Sequence, residues 1–198
     1  MKGGRVLRNL MVMFAMILCF SNCADYILYV SPGNFYQLGE LSVDLVSIAD
    51  STAPVEMDIY APTKPARYPV IVFQHGFGSS IKAYETITKH LASHGFIVVL
   101  PQIYGPGFQD APTAEEEAII GLDVLSWIEN NLNDHIPVYG DTSLLGMTGH
   151  SRGGQVAYRI TLQRLKQVNA LAGVDPVDAP DMSNDTRIIT GPLSFDIP

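Results

Sequence analysis

Gly149-His150-Ser151-Arg152-Gly153 sets a serine in the pattern Gly-x-Ser-x-Gly. An apolar run from Leu144 precedes it, and a helix-length segment follows from Arg152. Glycines at 149 and 153 let a strand and a helix approach closely enough to hold Ser151 in a strained conformation on a sharp turn. That turn pushes the hydroxyl out of the sheet, where a base and a substrate carbonyl can reach it. The chemistry expected of such a residue is nucleophilic attack on an acyl group. The alternative is a serine in an ordinary surface turn, and the strand–turn–helix context argues against it.

An attacking serine needs two backbone N–H donors for the tetrahedral oxyanion. One is expected from Arg152, the residue after the nucleophile. The other is expected from Phe77, in the loop His75-Gly76-Phe77-Gly78 that follows a second apolar run. An acid and then a histidine should follow the nucleophile in the chain. Asp175 and Asp178 are the first carboxylates after Ser151, in Asp175-Pro176-Val177-Asp178, and Asp175 is the better candidate because it directly ends an apolar run. A strand end is where a catalytic acid belongs in an open α/β sheet. A turn or helix-cap aspartate is the alternative for Asp175, and Asp181, Asp185 and Asp196 are weaker candidates.

The base is not evident. The five histidines are His75, His90, His94, His135 and His150, and all precede Ser151. His75 suits a brace for its loop better than a base, and the His150 side chain is expected to point away from Ser151. His90 and His94 stand at i, i+4 on a helix face; without further His or Cys nearby they read as a solvated face, so no metal site is expected. Only 47 residues follow Ser151, too few to finish a sheet and carry a histidine loop. The sequence is therefore expected to be the N-terminal part of a longer enzyme.

The elements that must position these residues are readable from periodicity. Leu41 to Ile48 and the strictly alternating Val55 to Tyr60 predict a half-exposed antiparallel pair, joined by the turn Ser51-Thr52-Ala53-Pro54. Pro69 to Phe73 and Phe96 to Leu100 are continuous apolar runs, as strands buried on both faces require. Between them a helix is predicted over Ile81 to Ser93, stopped by Gly95. After a Gly- and Pro-rich loop from Gln102 to Pro112, Thr113 is an expected N-cap for a helix reaching about Asn131, with Glu115 to Glu117 favoured by the helix dipole and Trp127 in the core. A strand at Leu144, a helix from Arg152 to about Lys166 and a short strand over Ala170 to Val174 complete the pattern. Strands alternating with helices predict a parallel α/β sheet in one domain.

Composition narrows the partners. The 198 residues are 47% hydrophobic and carry a net charge of −8, with no basic cluster beyond the first ten residues, which disfavours a nucleic-acid partner. Lys2, Arg5 and Arg8 precede the apolar run Leu10 to Phe20 and then Ser21-Asn22-Cys23-Ala24. This is the pattern of a secretory signal peptide over residues 1 to about 24, cleaved after Cys23 or Ala24. The run is shorter than the roughly 20 residues a spanning helix needs, so no stable membrane span is expected after cleavage; an uncleaved signal anchor is the alternative. The expected product, residues 25 to 198, is secreted and lacks both cysteines, Cys19 and Cys23.

Three segments carry a family resemblance. Gly149-His150-Ser151-Arg152-Gly153-Gly154 resembles the chlorophyllase form of the nucleophile turn. His90 to Val99, followed by Pro101-Gln102-Ile103-Tyr104, resembles the family's segment around the fourth strand. Gly173-Val174-Asp175-Pro176-Val177-Asp178 resembles the segment bearing the family's acid. They stand in order over roughly Pro62 to Pro198. The resemblance implies an α/β-hydrolase fold with a mostly parallel central sheet, its C-terminal part missing from these residues. It implies hydrolysis of a small hydrophobic carboxylic ester without cofactor; in chlorophyllases this is chlorophyll, giving chlorophyllide and phytol. By motif position Ser151 is the nucleophile and Asp175 the acid, with the family's histidine beyond Pro198. The N-terminus departs from a Ser-rich plastid transit peptide. Secreted polyester hydrolases and platelet-activating-factor acetylhydrolases share the broader fold and imply other esters, and a catalytically incomplete truncated product is the remaining alternative.

Overall fold

In a computed structural model, residues 36–49, 51–107 and 111–177 are described. The segment expected to be a signal peptide, both cysteines, Asp178, Asp181, Asp185 and Asp196 lie outside them. The described chain opens with β1 (Val43–Ile48) and β2 (Met57–Pro62), then β3 (Arg67–Gln74). A 3-10 turn (Ile81–Tyr84) leads into α1 (Glu85–Ser93), followed by β4 (Ile97–Pro101) and α2 (Ala114–His135). Then come β5 (Tyr139–His150), α3 (Arg152–Gln163) and β6 (Val168–Val174).

The six strands form one sheet in the order β1-β2-β4-β3-β5-β6. β1 and β2, and β2 and β4, pair antiparallel. β4 with β3, β3 with β5, and β5 with β6 pair parallel. The sheet is thus mixed, and parallel through its centre. β3 and β5 lie side by side, bringing Gln74 and Gly149 opposite one another at their C-terminal ends.

Side-chain alternation sorts the core onto two faces. Val70, Val72, Ile97, Val99, Leu145 and Met147 pack with Val124, Leu125, Ile128 of α2 and Val156, Ile160 of α3. Phe73, Val98, Leu100 and Tyr60 pack with Ile81 and Ala92 on the α1 face. All five residues of β4 are buried, as its unbroken apolar run predicts; burying each such side chain contributes about 1.5–3 kcal/mol. Trp127 is a core residue, 5% exposed. Thr113 caps α2 in a reciprocal box: its hydroxyl accepts the Glu116 N–H, and the Glu116 carboxylate accepts the Thr113 N–H.

Some expectations are corrected. β2 alternates in sequence but every residue in it is buried. Its polar face is covered by the 3-10 turn and α1: Tyr60 packs with Ile81 and Ala92, and Asp58 is accommodated by the Ser47 hydroxyl and the Lys82 ammonium, both at 2.6 Å. The single helix predicted over Ile81 to Ser93 begins as a 3-10 turn. β5 starts at Tyr139, well before Leu144, because a bulge interrupts its apolar pattern: Pro69 faces Asp141 while Val70 faces Leu145. Pro69, which has no N–H to donate, stands at the irregularity, where a strand tolerates proline. α2 runs on to His135, α3 ends at Gln163, and β6 begins at Val168.

Candidate active site

β5 ends at His150 and α3 begins at Arg152, so the whole change of direction falls on Ser151. Its backbone adopts φ 52°, ψ −122°, a left-handed conformation that costs a non-glycine residue about 1–3 kcal/mol. The neighbours show why glycines flank it. A Cβ on Gly149 would lie 2.3 Å from the Gly153 carbonyl oxygen, and one on Gly153 would lie 2.2 Å from that of Gln74. The start of α3 therefore rests directly on the ends of β5 and β3. Ser151 occupies the N-cap position, but its hydroxyl does not cap the helix.

The loop after β3 is held from three sides. The Gly76 N–H donates to the Tyr84 hydroxyl at 2.9 Å, the Gly78 N–H to the Tyr104 hydroxyl at 2.9 Å, and the Ser79 N–H to the Gly76 carbonyl at 3.0 Å. A side chain on Gly76 would displace the bracing groups, since a Cβ would sit 2.9 Å from the His150 ring and 3.0 Å from the Tyr84 oxygen. Gln102 ties the loop after β4 to the same turn: its side chain accepts from the Ile81 N–H and donates to the Tyr104 and Ser79 carbonyls. Burial and the charge of Glu117 push the Tyr104 phenol up to about 12.

His75 is buried beneath this loop, 2% exposed. Its Nδ1 lies 2.9 Å from the Gly76 carbonyl oxygen and donates to it, while its Nε2 accepts from the Ile103 N–H at 3.2 Å. Both ring nitrogens are spent on backbone, and burial lowers the His75 pKa below the usual histidine value. The Tyr84 hydroxyl, which accepts from Gly76, also hydrogen-bonds with His150 Nδ1 at 3.0 Å. Both histidines brace the loop that carries Phe77.

Arg152 folds its side chain inward and is 6% exposed. Its Nε lies 2.7 Å from Glu117 Oε1, its Nη2 donates to the Pro112 carbonyl, and its Cζ sits 4.8 Å over the Phe77 ring. Asp175 follows β6 in a left-handed conformation, φ 47°. The chain there is stitched to the turn at Ser151 on both sides: the Ser151 N–H donates to the Val174 carbonyl, and the Val177 N–H donates to the Ser151 carbonyl. Pro176 fits between two glycines, since a Cβ on Gly154 or Gly173 would each lie 2.7 Å from its ring.

Residues 31–198 match the family model for chlorophyllase. The chain belongs to the chlorophyllase family. It is 34% identical over 163 residues to chlorophyllase-1, chloroplastic, of Citrus unshiu, covering 81% of this chain and 48% of that protein. It is 34% identical over 188 residues to chlorophyllase-1 of Arabidopsis thaliana, covering 85% of this chain and 56% of that protein. The chain spans about half the length of the curated relatives it matches. Esterase B of Lactobacillus rhamnosis superposes with a TM-score of 0.54 at 20% identity, over 72% of this chain and 51% of that structure. The fold is that of the α/β-hydrolases.

Within this chlorophyllase-family fold, Ser151, Arg152, Phe77 and the segment bearing Asp175 converge at the C-terminal ends of β3, β5 and β6. The remaining histidines stand elsewhere: the His90 and His94 rings meet at a tilt with centroids 4.8 Å apart, and His135 lies against Trp127. No group of three metal-ligating residues occurs among the described residues, nor any helix long and apolar enough to cross a membrane. Sequence reasoning missed Tyr84, Tyr104 and Glu117. Tyr104 sits inside the Pro101-Gln102-Ile103-Tyr104 segment that already pointed to the family, and that motif was the available signal.

Proposed function

We propose that this chain carries the nucleophile of a serine carboxylic ester hydrolase. The Ser151 Oγ attacks the ester carbonyl carbon and its proton passes to a histidine that is not among the five of this chain. The N–H groups of Phe77 and Arg152 receive the developing oxyanion. Collapse breaks the bond to the alcohol oxygen, which takes the proton from the imidazolium; water then cleaves the acyl-enzyme by the same route. Asp175 orients that histidine and balances its charge. The chemistry asks for no metal or organic cofactor.

The observation that carries this reading is the strained Ser151, held at φ 52° between two glycines that no larger residue can replace without a backbone clash. A fluorophosphonate probe should label the full-length protein at Ser151, and Ser151→Ala should abolish the label; a variant that still labels would remove Ser151 from its role. Family membership supports a hydrophobic ester, with chlorophyll the first to test. Chlorophyllide and phytol in the product mixture would support that substrate. Cleavage of p-nitrophenyl esters alone would reject it while leaving the ester hydrolase intact.

We also infer export, on the charged and apolar pattern of residues 1–24. The mature N-terminus should then be Ala24 or Asp25, and a protein starting at Met1 would overturn this.

A further inference from the structure

The two residues assigned to the oxyanion hole are linked by their side chains as well as by their backbones. The guanidinium of Arg152 lies over the Phe77 ring at 4.8 Å. On its other side it meets Glu117 at 2.7 Å and donates to the Pro112 carbonyl. One cation thus touches the loop after β3, the first turn of α2 and the segment leading into it.

The pair is buried at both ends, with side-chain exposures of 7% for Arg152 and 2% for Glu117. Desolvating two charges offsets most of their attraction, so such a pair is a poor device for stability alone. What it supplies is a fixed geometry. The ion pair holds the guanidinium between Glu117 and the Phe77 ring, and the planar group lying over that ring passes its position on to the loop.

We propose that Glu117 is a positioning residue of the oxyanion hole, setting through the Arg152 guanidinium the separation between the Phe77 and Arg152 N–H groups. This rests on the reading of Ser151 as an ester-cleaving nucleophile. Both donors are backbone groups, so side-chain substitutions leave them in the chain and alter only where they stand. Ground-state binding needs little from the hole, whereas the oxyanion needs both donors within hydrogen-bond reach.

The test uses the full-length protein with p-nitrophenyl butyrate and a trifluoromethyl ketone, which forms a tetrahedral oxyanion adduct on an active serine. Glu117→Gln leaves the arginine charge buried and can lower the melting temperature, so the deciding variant is Glu117→Met with Arg152→Met, which removes both charges together. It should fold and keep KM within about threefold, while kcat falls about 10- to 100-fold, the range for a slightly displaced donor. Ketone affinity should fall by the same factor as kcat/KM. Phe77→Leu, which cuts only the ring contact, should show a smaller fall with the same proportionality. Unchanged kcat and ketone affinity in folded double variant would overturn the proposal and leave the Ser151 reading standing. Failure of the wild-type protein to label at Ser151 would instead remove the reading beneath it.

Discussion

The Gly76 N–H donates to the hydroxyl of Tyr84 at 2.9 Å, so a phenol from the 3-10 turn holds the loop that carries Phe77. The same hydroxyl reaches His150, the residue before Ser151, at 3.0 Å. Tyr84→Phe keeps the ring and its packing against Phe73 but leaves the Gly76 donor without its acceptor. It should cost about 1–3 kcal/mol of stability. Fluorophosphonate labelling of folded protein should slow, and labelling at the wild-type rate would show that the loop needs no such tether.

Gly153 and Gly121 both face tight contacts, with opposite expected outcomes on substitution. A Cβ at 153 meets the carbonyl oxygens of Gln74 and His75, at 2.2 and 2.5 Å, and backbone has nowhere to go. A Cβ at 121 meets the tip of the Ile160 side chain at 2.4 Å, which can swing to another rotamer. Gly153→Ala should destabilise by about 3 kcal/mol and Gly121→Ala by about 1 kcal/mol or less. Urea denaturation measures both, and equal losses would contradict the packing described.

Burial lowers the pKa of His75, so the unfolded chain binds a proton that the folded chain resists. Stability from this residue is complete above about pH 6.5, the unfolded value, and is lost as pH falls from there toward the folded pKa. Protonation would also destroy the acceptor for the Ile103 N–H. Denaturation midpoints at pH 7.5 and pH 5.0 should differ, and His75→Gln should shrink that difference. An undiminished difference would assign the pH dependence to other groups.

Asp141 behaves with its own sign. The Arg67 guanidinium, 2.7 Å away, and the Ser143 hydroxyl and N–H hold its carboxyl below the usual aspartate value. Its contribution is present above the unfolded value, near 3.9, and disappears as pH falls through the folded one. Asp141→Asn should cost about 2 kcal/mol at pH 7, since the lost bonds involve a buried charged acceptor. That cost should shrink in strongly acidic solution; a cost independent of pH would mean that packing at the bulge, not charge, is what matters.

Much of the fold was legible because its signals are local. A run such as Ile97 to Leu100, short, β-branched and bounded by Gly95 and Pro101, reads as a strand buried on both faces. The Thr113–Glu116 capping box and the glycines around Ser151 likewise announce themselves within a few residues. What escaped notice depends on distant partners. Glu117 belongs to a run of three acids that reads as a solvated, dipole-favoured first turn, yet one of the three rotates inward to meet Arg152 from another helix. Tyr84 lies at a spacing that marks a packed apolar face, and nothing local says that its hydroxyl serves a loop eight residues earlier. The alternation in β2 measures polarity correctly and exposure wrongly, because burial of its polar face is decided by the 3-10 turn and α1 packed over Tyr60 and Asp58.

The adjacency of β3 and β5 carries a consequence for folding. Gln74 and Gly149 are neighbours in the sheet, yet β4, two helices and their loops separate them in the chain. The loop carrying Phe77 and the turn at Ser151 are therefore brought together by a pairing of high contact order, whose loop entropy has to be overcome before any reward arrives. A nascent or partly unfolded copy holds Phe77, Ser151 and Arg152 but none of their mutual geometry. Reactivity toward an acyl probe would thus switch on with completion of the central sheet, making the serine a chemical reporter of cooperative folding.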